Sequence, residues 1–379
     1  MIYKISDNII SPLGYSSEEN YENMKKGITK GAFHQGTFHL PEPFYGSLLN
    51  WDEVESQFAQ LPSNGVRYTR FEKLAILSAH KALEKTQIDP SSKEVLFVLS
   101  STKGNIQLLE NLDGFDKNRI NMGVSADLLG AYFGNPNPVM VISNACTSGV
   151  VAQIYAKEMM EAKGYNYAVV VGADILCKFV VSGFQSFKAL SPEQCKPFDL
   201  NRRGLNLGEG AATIILQKAD VAPAGSLCIL GTGNRNDANH ISGPSRTGEG
   251  LYNAITAAYA SELVEKSSLS FINAHGTATP YNDDMESWAI SRSGLEEVYT
   301  NSLKGFLGHT LGAAGVLECV ISCHALKEGV ILPTLGHETK GVVKEMTVNT
   351  ELRKGNGTSF LKIISGFGGS NAAIIYGIK

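Results

Sequence analysis

No stretch of this 379-residue chain is apolar for long enough to cross a bilayer. Its first residues, Met1-Ile2-Tyr3-Lys4-Ile5-Ser6-Asp7, lack the apolar run of a secretion signal. A cytoplasmic location with no membrane role is therefore expected. An excess of either charge is also missing. The 33 Lys and Arg stand against 37 Asp and Glu, a net charge of -4. That balance offers no general attraction to nucleic acid or to an anionic membrane. The six cysteines, Cys146, Cys177, Cys195, Cys228, Cys319 and Cys323, show neither the close pairs of a zinc site nor a disulfide framework. No metal and no cofactor is expected, and a reducing compartment suits them.

What the chain does have is core material and glycine. With 43% hydrophobic and 18% charged residues it reads as globular, and its length suits two domains or one large domain of two halves. The 39 glycines point to tight turns and close backbone approaches. Val95 to Leu99, Val139 to Ile142 and Ala168 to Val171 are short unbroken apolar runs, read as buried strands of a parallel sheet. Between them, Phe71 to Leu83 and Val150 to Met160 carry apolar residues at helical spacing. Strands alternating with helices give an α/β class. The glycine-rich turn Gly204 to Gly210, running into the strand-like Ala211 to Leu216, has a counterpart in Gly366 to Gly369 running into Ala372 to Tyr376. Ala219 to Ser226, with Pro223 and Gly225, reads as a linker. The chain thus divides into residues 1–218 and 219–379, read as a duplicated half.

Three segments carry reactive side chains. Asn144-Ala145-Cys146-Thr147-Ser148-Gly149 joins a strand to a helix, so Cys146 sits at the positive end of a helix dipole, where a thiolate is favoured. A cysteine after a strand is equally often a small buried hydrophobe, and this segment alone leaves both readings open. Asn273-Ala274-His275-Gly276-Thr277-Ala278-Thr279 ends a strand among small and hydroxyl residues. Lys304-Gly305-Phe306-Leu307-Gly308-His309, followed by Gly312 to Gly315, places His309 at the mouth of a turn. One cysteine with two histidines can carry out nucleophilic acyl transfer, the imidazoles donating to a developing oxyanion.

These segments, in this order, resemble the active-site motifs of the elongating β-ketoacyl-acyl carrier protein synthases of the thiolase superfamily. Ser11-Pro12-Leu13-Gly14, Ala189-Leu190-Ser191, Lys196-Pro197-Phe198-Asp199, Gly208-Glu209-Gly210-Ala211 and Gly366-Phe367-Gly368-Gly369 extend the resemblance over nearly the whole chain. The resemblance implies a thiolase fold, two similar halves layered αβαβα. Cys146 would accept an acyl group, and the backbone N–H groups of Cys146 and Phe367 would form an oxyanion hole. His275 and His309 would hold the enolate left by malonyl decarboxylation, and Lys304 would orient the site, through a nearby acid, as a catalytic residue. Thr277, Thr279 and Gly368 match substrate-contacting positions, Phe367 a gate, and Asp283 and Glu286 acids that tie down the histidine loop. The implied partner is an acyl carrier protein, docked by Arg67, Arg70, Lys196, Arg202 and Arg203, with a homodimer expected and a heterodimer with a related subunit as the alternative.

The chain departs from the family's pattern. Ser101 to Pro138 is short for a region that shapes the dimer interface and acyl pocket. Ile5-Ser6-Asp7-Asn8 stands where a glycine turn is common, and Leu307 and Asn144 stand where threonine is common. A divergent member, serving a specialised polyketide or polyene pathway rather than bulk fatty acid synthesis, is the expectation. Two other readings compete. Cys146 argues against a non-catalytic chain-length subunit, and His309, in place of a second cysteine, argues against a thiolase acting on coenzyme A thioesters.

Overall fold

The computed structural model describes residues 1–379. Ten strands form the main sheet structure, and five of them come from the first part of the chain: β1 (Ile2–Ile10), β2 (Val95–Ser100), β3 (Met140–Ile142), β4 (Tyr167–Asp174) and β5 (Gly210–Lys218). Five come from the second: β6 (Leu227–Asn236), β7 (Leu269–Asn273), β8 (Thr300–Asn301), β9 (Ser359–Gly366) and β10 (Ser370–Ile378). Their spatial order is β1-β5-β4-β2-β3 in the first set and β6-β10-β9-β7-β8 in the second, the same order shifted by one set. The directions repeat as well. The first two pairings in each set are antiparallel and the last two parallel. A short antiparallel contact, Tyr3 with Cys228 and Lys4 with Leu227, joins the sets through β1 and β6.

The three apolar runs, β2, β3 and β4, pair in parallel as expected, but the sheets as a whole are mixed, because β5 and β10 run antiparallel to both of their neighbours. The reason is visible in the second set: β9 and β10 are joined by the turn 367–369, and so short a connection can only link antiparallel neighbours. Full burial on both faces, which hides the alternation, does not report direction.

Side-chain alternation along the strands separates three cores. Odd residues of β2 (Val95, Phe97, Leu99) pack with helix α1 (Arg70–Leu83) on one outer face. Even residues (Leu96, Val98) face inward onto helices α2 (Ser148–Lys163) and α5 (Ala314–Glu328). In β9, Phe360 and Ile364 face the same inner helices, while Leu361 and Ile363 face α3 (Glu249–Tyr259) and α4 (Pro280–Arg292) on the opposite outer side. Helix, sheet, paired helices, sheet, helix is the expected αβαβα order.

The inner helices meet through backbone. A Cβ on Gly149, near the start of α2, would lie 2.7 Å from Val316 N, and one on Gly315, near the start of α5, would lie 2.4 Å from Val150 N. No other residue fits at this crossing, which places the segments preceding both helices side by side. Gly315→Ala is expected to lower stability by about 1–3 kcal/mol or more, because the strain falls on backbone that cannot swing aside. Gly123→Ala, where a Cβ would meet nothing within 4 Å, serves as the comparison and should be neutral or slightly stabilising. Chemical denaturation measures both, and equal stability of the two variants would contradict the crossing.

Candidate active site

Between β3 and α2 the chain makes a sharp turn at Ala145, which adopts φ 49°. An alanine in the left-handed region is held there by its surroundings. Ser148 Oγ donates to Ala145 O at 2.6 Å, Thr147 Oγ1 donates to Asn144 O at 2.6 Å, and Asn144 Nδ2 donates across the molecule to Ser370 Oγ at 2.9 Å. Gly366, at the end of β9, passes so close that a Cβ there would lie 3.0 Å from Cys146 N. Neither the N–H of Cys146 nor that of Phe367 is given to an acceptor within the protein. Two neighbouring free donors are the make-up of an oxyanion hole.

The thiol itself corrects one expectation. Burial pushes Cys146 up to about 11, against the opposing pull of the Lys304 and Lys103 ammonium groups. Burial of the sulfur thus works against the thiolate that a position just before a helix was expected to favour.

His275 follows β7. Its backbone N–H and that of Gly276 both donate to the Glu286 carboxylate at 2.7 Å, which pins the turn to α4. Burial, reinforced by Asp283, pushes Glu286 up to about 8. His309 lies between the short helix Lys304–Leu307 and α5, its N–H donated to Asn206 O at 2.7 Å. Leu311 N donates to His309 Nδ1 at 3.3 Å, so the ring proton belongs on Nε2, a buried atom with no partner in the protein. The two imidazole rings stand 5.0 Å apart at 81°, and one donor atom from each lies within 4.8 Å of the other and of Cys146 Sγ. Burial first, then the Lys304 charge, hold both histidines well below the usual imidazole range, so both are neutral. A cysteine and two histidines this close have the composition of a zinc ligand set. The tautomer argues otherwise, since a protonated Nε2 offers no lone pair and Nδ1 is already engaged.

Cys146, His275 and His309 open together into a cavity of about 530 Å³, also lined by Thr277, Thr279 and Phe367. The two threonine hydroxyls are 2.8 Å apart. Phe367, 39% exposed, stacks on Phe184 at 6.1 Å and meets Phe187 edge-on at 5.6 Å, an aromatic cluster at the mouth.

Other expected site residues are placed differently. Lys304 does not line the cavity; it is buried and ion-paired with Glu318, which also pairs with Lys362 at 2.5 Å. It acts on the imidazoles through charge rather than contact. Gly368 does not line the cavity either: its N–H goes to Ile241 O at 2.8 Å, holding the turn to a neighbouring loop. Asp283 accepts from Phe198 N at 2.7 Å, so it braces the adjacent loop while Glu286 holds the histidine turn. Arg202 is no docking group, because its guanidinium is 6% exposed and held by Asp284 at 2.9 Å and by backbone carbonyls. Arg67 lies over Phe115, Arg70 over Trp51, and Lys196 is off the cavity. Only Arg203 of the five lines it, joined by Lys188, which was not anticipated. Glu318 and Lys362 were also missed. Their signal was a charge within the apolar runs Val316 to Val320 and Phe360 to Ile364.

The Beta-ketoacyl synthase N-terminal domain profile matches residues 11–222, and the Beta-ketoacyl synthase C-terminal domain profile matches residues 227–338. A Streptomyces halstedii protein that carries the name polyketide beta-ketoacyl synthase 1 is 32% identical over 66% of this chain, and the matched part spans 63% of that protein's own length. The 3-oxoacyl-[acyl-carrier-protein] synthase 2 of Staphylococcus aureus is 26% identical over 97% of this chain and 98% of its own. Among solved structures, the ishigamide ketosynthase/chain length factor superposes with a TM-score of 0.85 at 24% identity, covering 100% of this chain and 99% of that one.

Iodoacetamide should alkylate Cys146 before the other five cysteines, because it alone among them lines the cavity. With the thiol pushed up to about 11, the labelling rate should keep climbing with pH well past neutrality. Peptide mapping over a pH series measures this. A plateau near neutral pH would contradict the burial argument.

Proposed function

This chain belongs to the beta-ketoacyl synthase family, and on that premise we propose that it joins a Cys146-bound acyl group to a malonyl unit carried on an acyl carrier protein. The observation that carries the reading is the meeting of a cavity-lining thiol with two neutral, buried imidazoles beside two free backbone N–H groups.

In the first half-reaction the Cys146 sulfur attacks the carbonyl of an acyl thioester. The oxyanion is received by the N–H groups of Cys146 and Phe367, the pantetheine thiol leaves, and the proton of Cys146 passes to it. In the second, the malonyl thioester occupies the same cavity. Its C–C bond to the carboxylate breaks and carbon dioxide departs. The electron pair is delocalised onto the thioester oxygen, to which His309 Nε2–H and the His275 ring donate. The resulting carbanion attacks the acyl carbonyl on Cys146, the sulfur leaves as thiolate, and the β-ketoacyl product remains on the carrier. Neutral imidazoles suit this chemistry, because an N–H donor stabilises the enolate without first being paired by the malonyl carboxylate.

Thr277 and Thr279 sit where the pantetheine arm would pass, and Phe367 where a gate would turn. Arg203 and Lys188, at the cavity, supply positive charge suited to an acidic carrier. Residues 1–218 and 219–379 act as the two halves of one catalytic unit. The partner subunit is a second copy of the chain, packed on the outermost strand β3, which is only half-buried. A related subunit is the alternative, and sedimentation of the purified chain alone, dimer against monomer, decides between them.

The half-reactions separate the residues. His275→Ala and His309→Ala should retain Cys146 acylation but lose about 10²–10³ in decarboxylation rate, the usual cost of a preorganised oxyanion donor. Cys146→Ala should lose acylation while keeping decarboxylation. Intact-protein mass and carbon dioxide release are followed in each variant. Normal decarboxylation in both histidine variants would show that the enolate is held elsewhere.

A further inference from the structure

Lysine is among the residues least often fully buried, because its charge must be stripped of water. Lys362 is nevertheless 0% exposed, in the middle of β9. By alternation it shares the inward face with Phe360 and Ile364, so its stem runs into the central helix layer. Its ammonium lies 2.5 Å from Glu318 Oε2 and donates to Ala274 O at 3.1 Å, the carbonyl directly before His275. Glu318, from α5, is shared with Lys304, which precedes the turn that presents His309. One buried carboxylate thus stands between two buried ammonium groups, and the elements that deliver the two histidines are tied to it from either side. The condensation steps use Lys362 nowhere.

The charges do not cancel. Lys304, Glu318 and Lys362 together leave one positive charge beneath the cavity floor, and the other ionisable groups facing them are Cys146, Cys195, Cys319, Glu286, His275 and His309. Burial favours loss of the Lys362 proton, and the adjacent carboxylate opposes that loss. Glu318 is held below the usual carboxylate range by the two lysines, despite its burial. Lys362 also contributes to keeping both imidazoles neutral.

We infer that Lys362 is a positioning residue for the decarboxylation half-reaction: with Lys304 and Glu318 it fixes the His275 turn through Ala274 O and maintains a buried positive charge that favours neutral, donating imidazoles and a negative enolate above them. The inference rests on the condensation reading. Carbon dioxide release from malonyl-carrier by the unsubstituted protein tests that reading separately.

The test is a charge-compensation pair. Lys362→Met removes the ammonium with little change of volume and leaves Glu318 paired with Lys304. Lys362→Met combined with Glu318→Gln removes both charges and leaves Lys304 as the one positive group. In the single variant, Cys146 acylation should stay near the wild-type rate, while kcat for decarboxylation falls at least about tenfold with KM little changed, as expected when a nearby unit charge is lost. Its pH profile should also move. Removing a positive charge raises the imidazole pKa values, and protonation of His309 at Nδ1 breaks the bond from Leu311 N, so the acid limb shifts to higher pH. The double variant restores the net charge and should bring that limb back toward its wild-type position. Four results would overturn the inference: an unshifted limb in the single variant, an equal loss of both half-reactions, an unchanged decarboxylation rate, or a double variant whose limb stays displaced. Should the single variant fail to fold, Lys362→Gln, which removes the charge but keeps a polar head, replaces it under the same four criteria.

Discussion

The backbone contact between the starts of α2 and α5, made by Gly149 and Gly315, is the constraint on which the rest depends. Cys146 belongs to the first half of the chain and both histidines to the second. They share a cavity because the two inner helices touch without side chains between them, and because the loops carrying Cys146 and His309 lead directly into those helices. Asp174 locks the same junction from the first half, accepting from Ser101 Oγ at 2.7 Å and Gly312 N at 2.6 Å. Asn144 and Thr147 lock it from the other side by bonding Ser370. The repeated strand order supplies two equivalent turns, and the crossing brings them together. The active centre is thus built by the packing of two similar halves rather than by either one.

Electrostatics complete what the packing begins. The centre is dry enough to push its thiol up and its imidazoles down. In such surroundings an uncompensated charge is costly, yet the floor contains two lysines and one glutamate. Their surplus positive charge suits the proposed chemistry, in which both half-reactions develop negative charge on oxygen. Proton placement on His309 is set by a single backbone donor, Leu311 N, itself in the left-handed region at φ 52°. The strained turn and the tautomer are therefore one feature: the turn presents the donor that fixes the proton on Nε2, which has no partner within the protein.

Much of this was legible in the sequence. Val95 to Leu99 and Ala168 to Val171 declare themselves as strands because full burial leaves no polar residue in them. Cys146 and His275 stand out because each follows a strand, and His309 because it follows a glycine at a turn between two helices, all three among residues small enough to leave room for a substrate. The two glycine turns betray the repeat. What escaped depends on three-dimensional surroundings. The antiparallel pairings of β5 and β10 escaped, because direction leaves no trace in a doubly buried strand. The sign of the Cys146 shift follows from how much protein covers it, which a local helix dipole cannot report. Arg202 read as a charge available for a partner, but it is occupied by an acid far away in sequence, Asp284; Lys304 was expected to act through an acid, and the fold, not the sequence, identifies that acid as Glu318. Lys362 was hidden by its neighbours, since a single charge in an apolar strand is easily read as an exposed edge.

The central claim is that one centre, assembled from both halves, performs both acyl loading and decarboxylative condensation. The most direct measurement is the mass of carrier-bound product when the purified protein receives an acyl-carrier thioester together with malonyl-carrier, with carbon dioxide release followed in parallel. The expected result is a β-ketoacyl thioester on the carrier, one carbon dioxide per product, and an acyl adduct on Cys146 when malonyl-carrier is withheld. Carbon dioxide release without any condensed product, or condensation that proceeds without an adduct on Cys146, would contradict it.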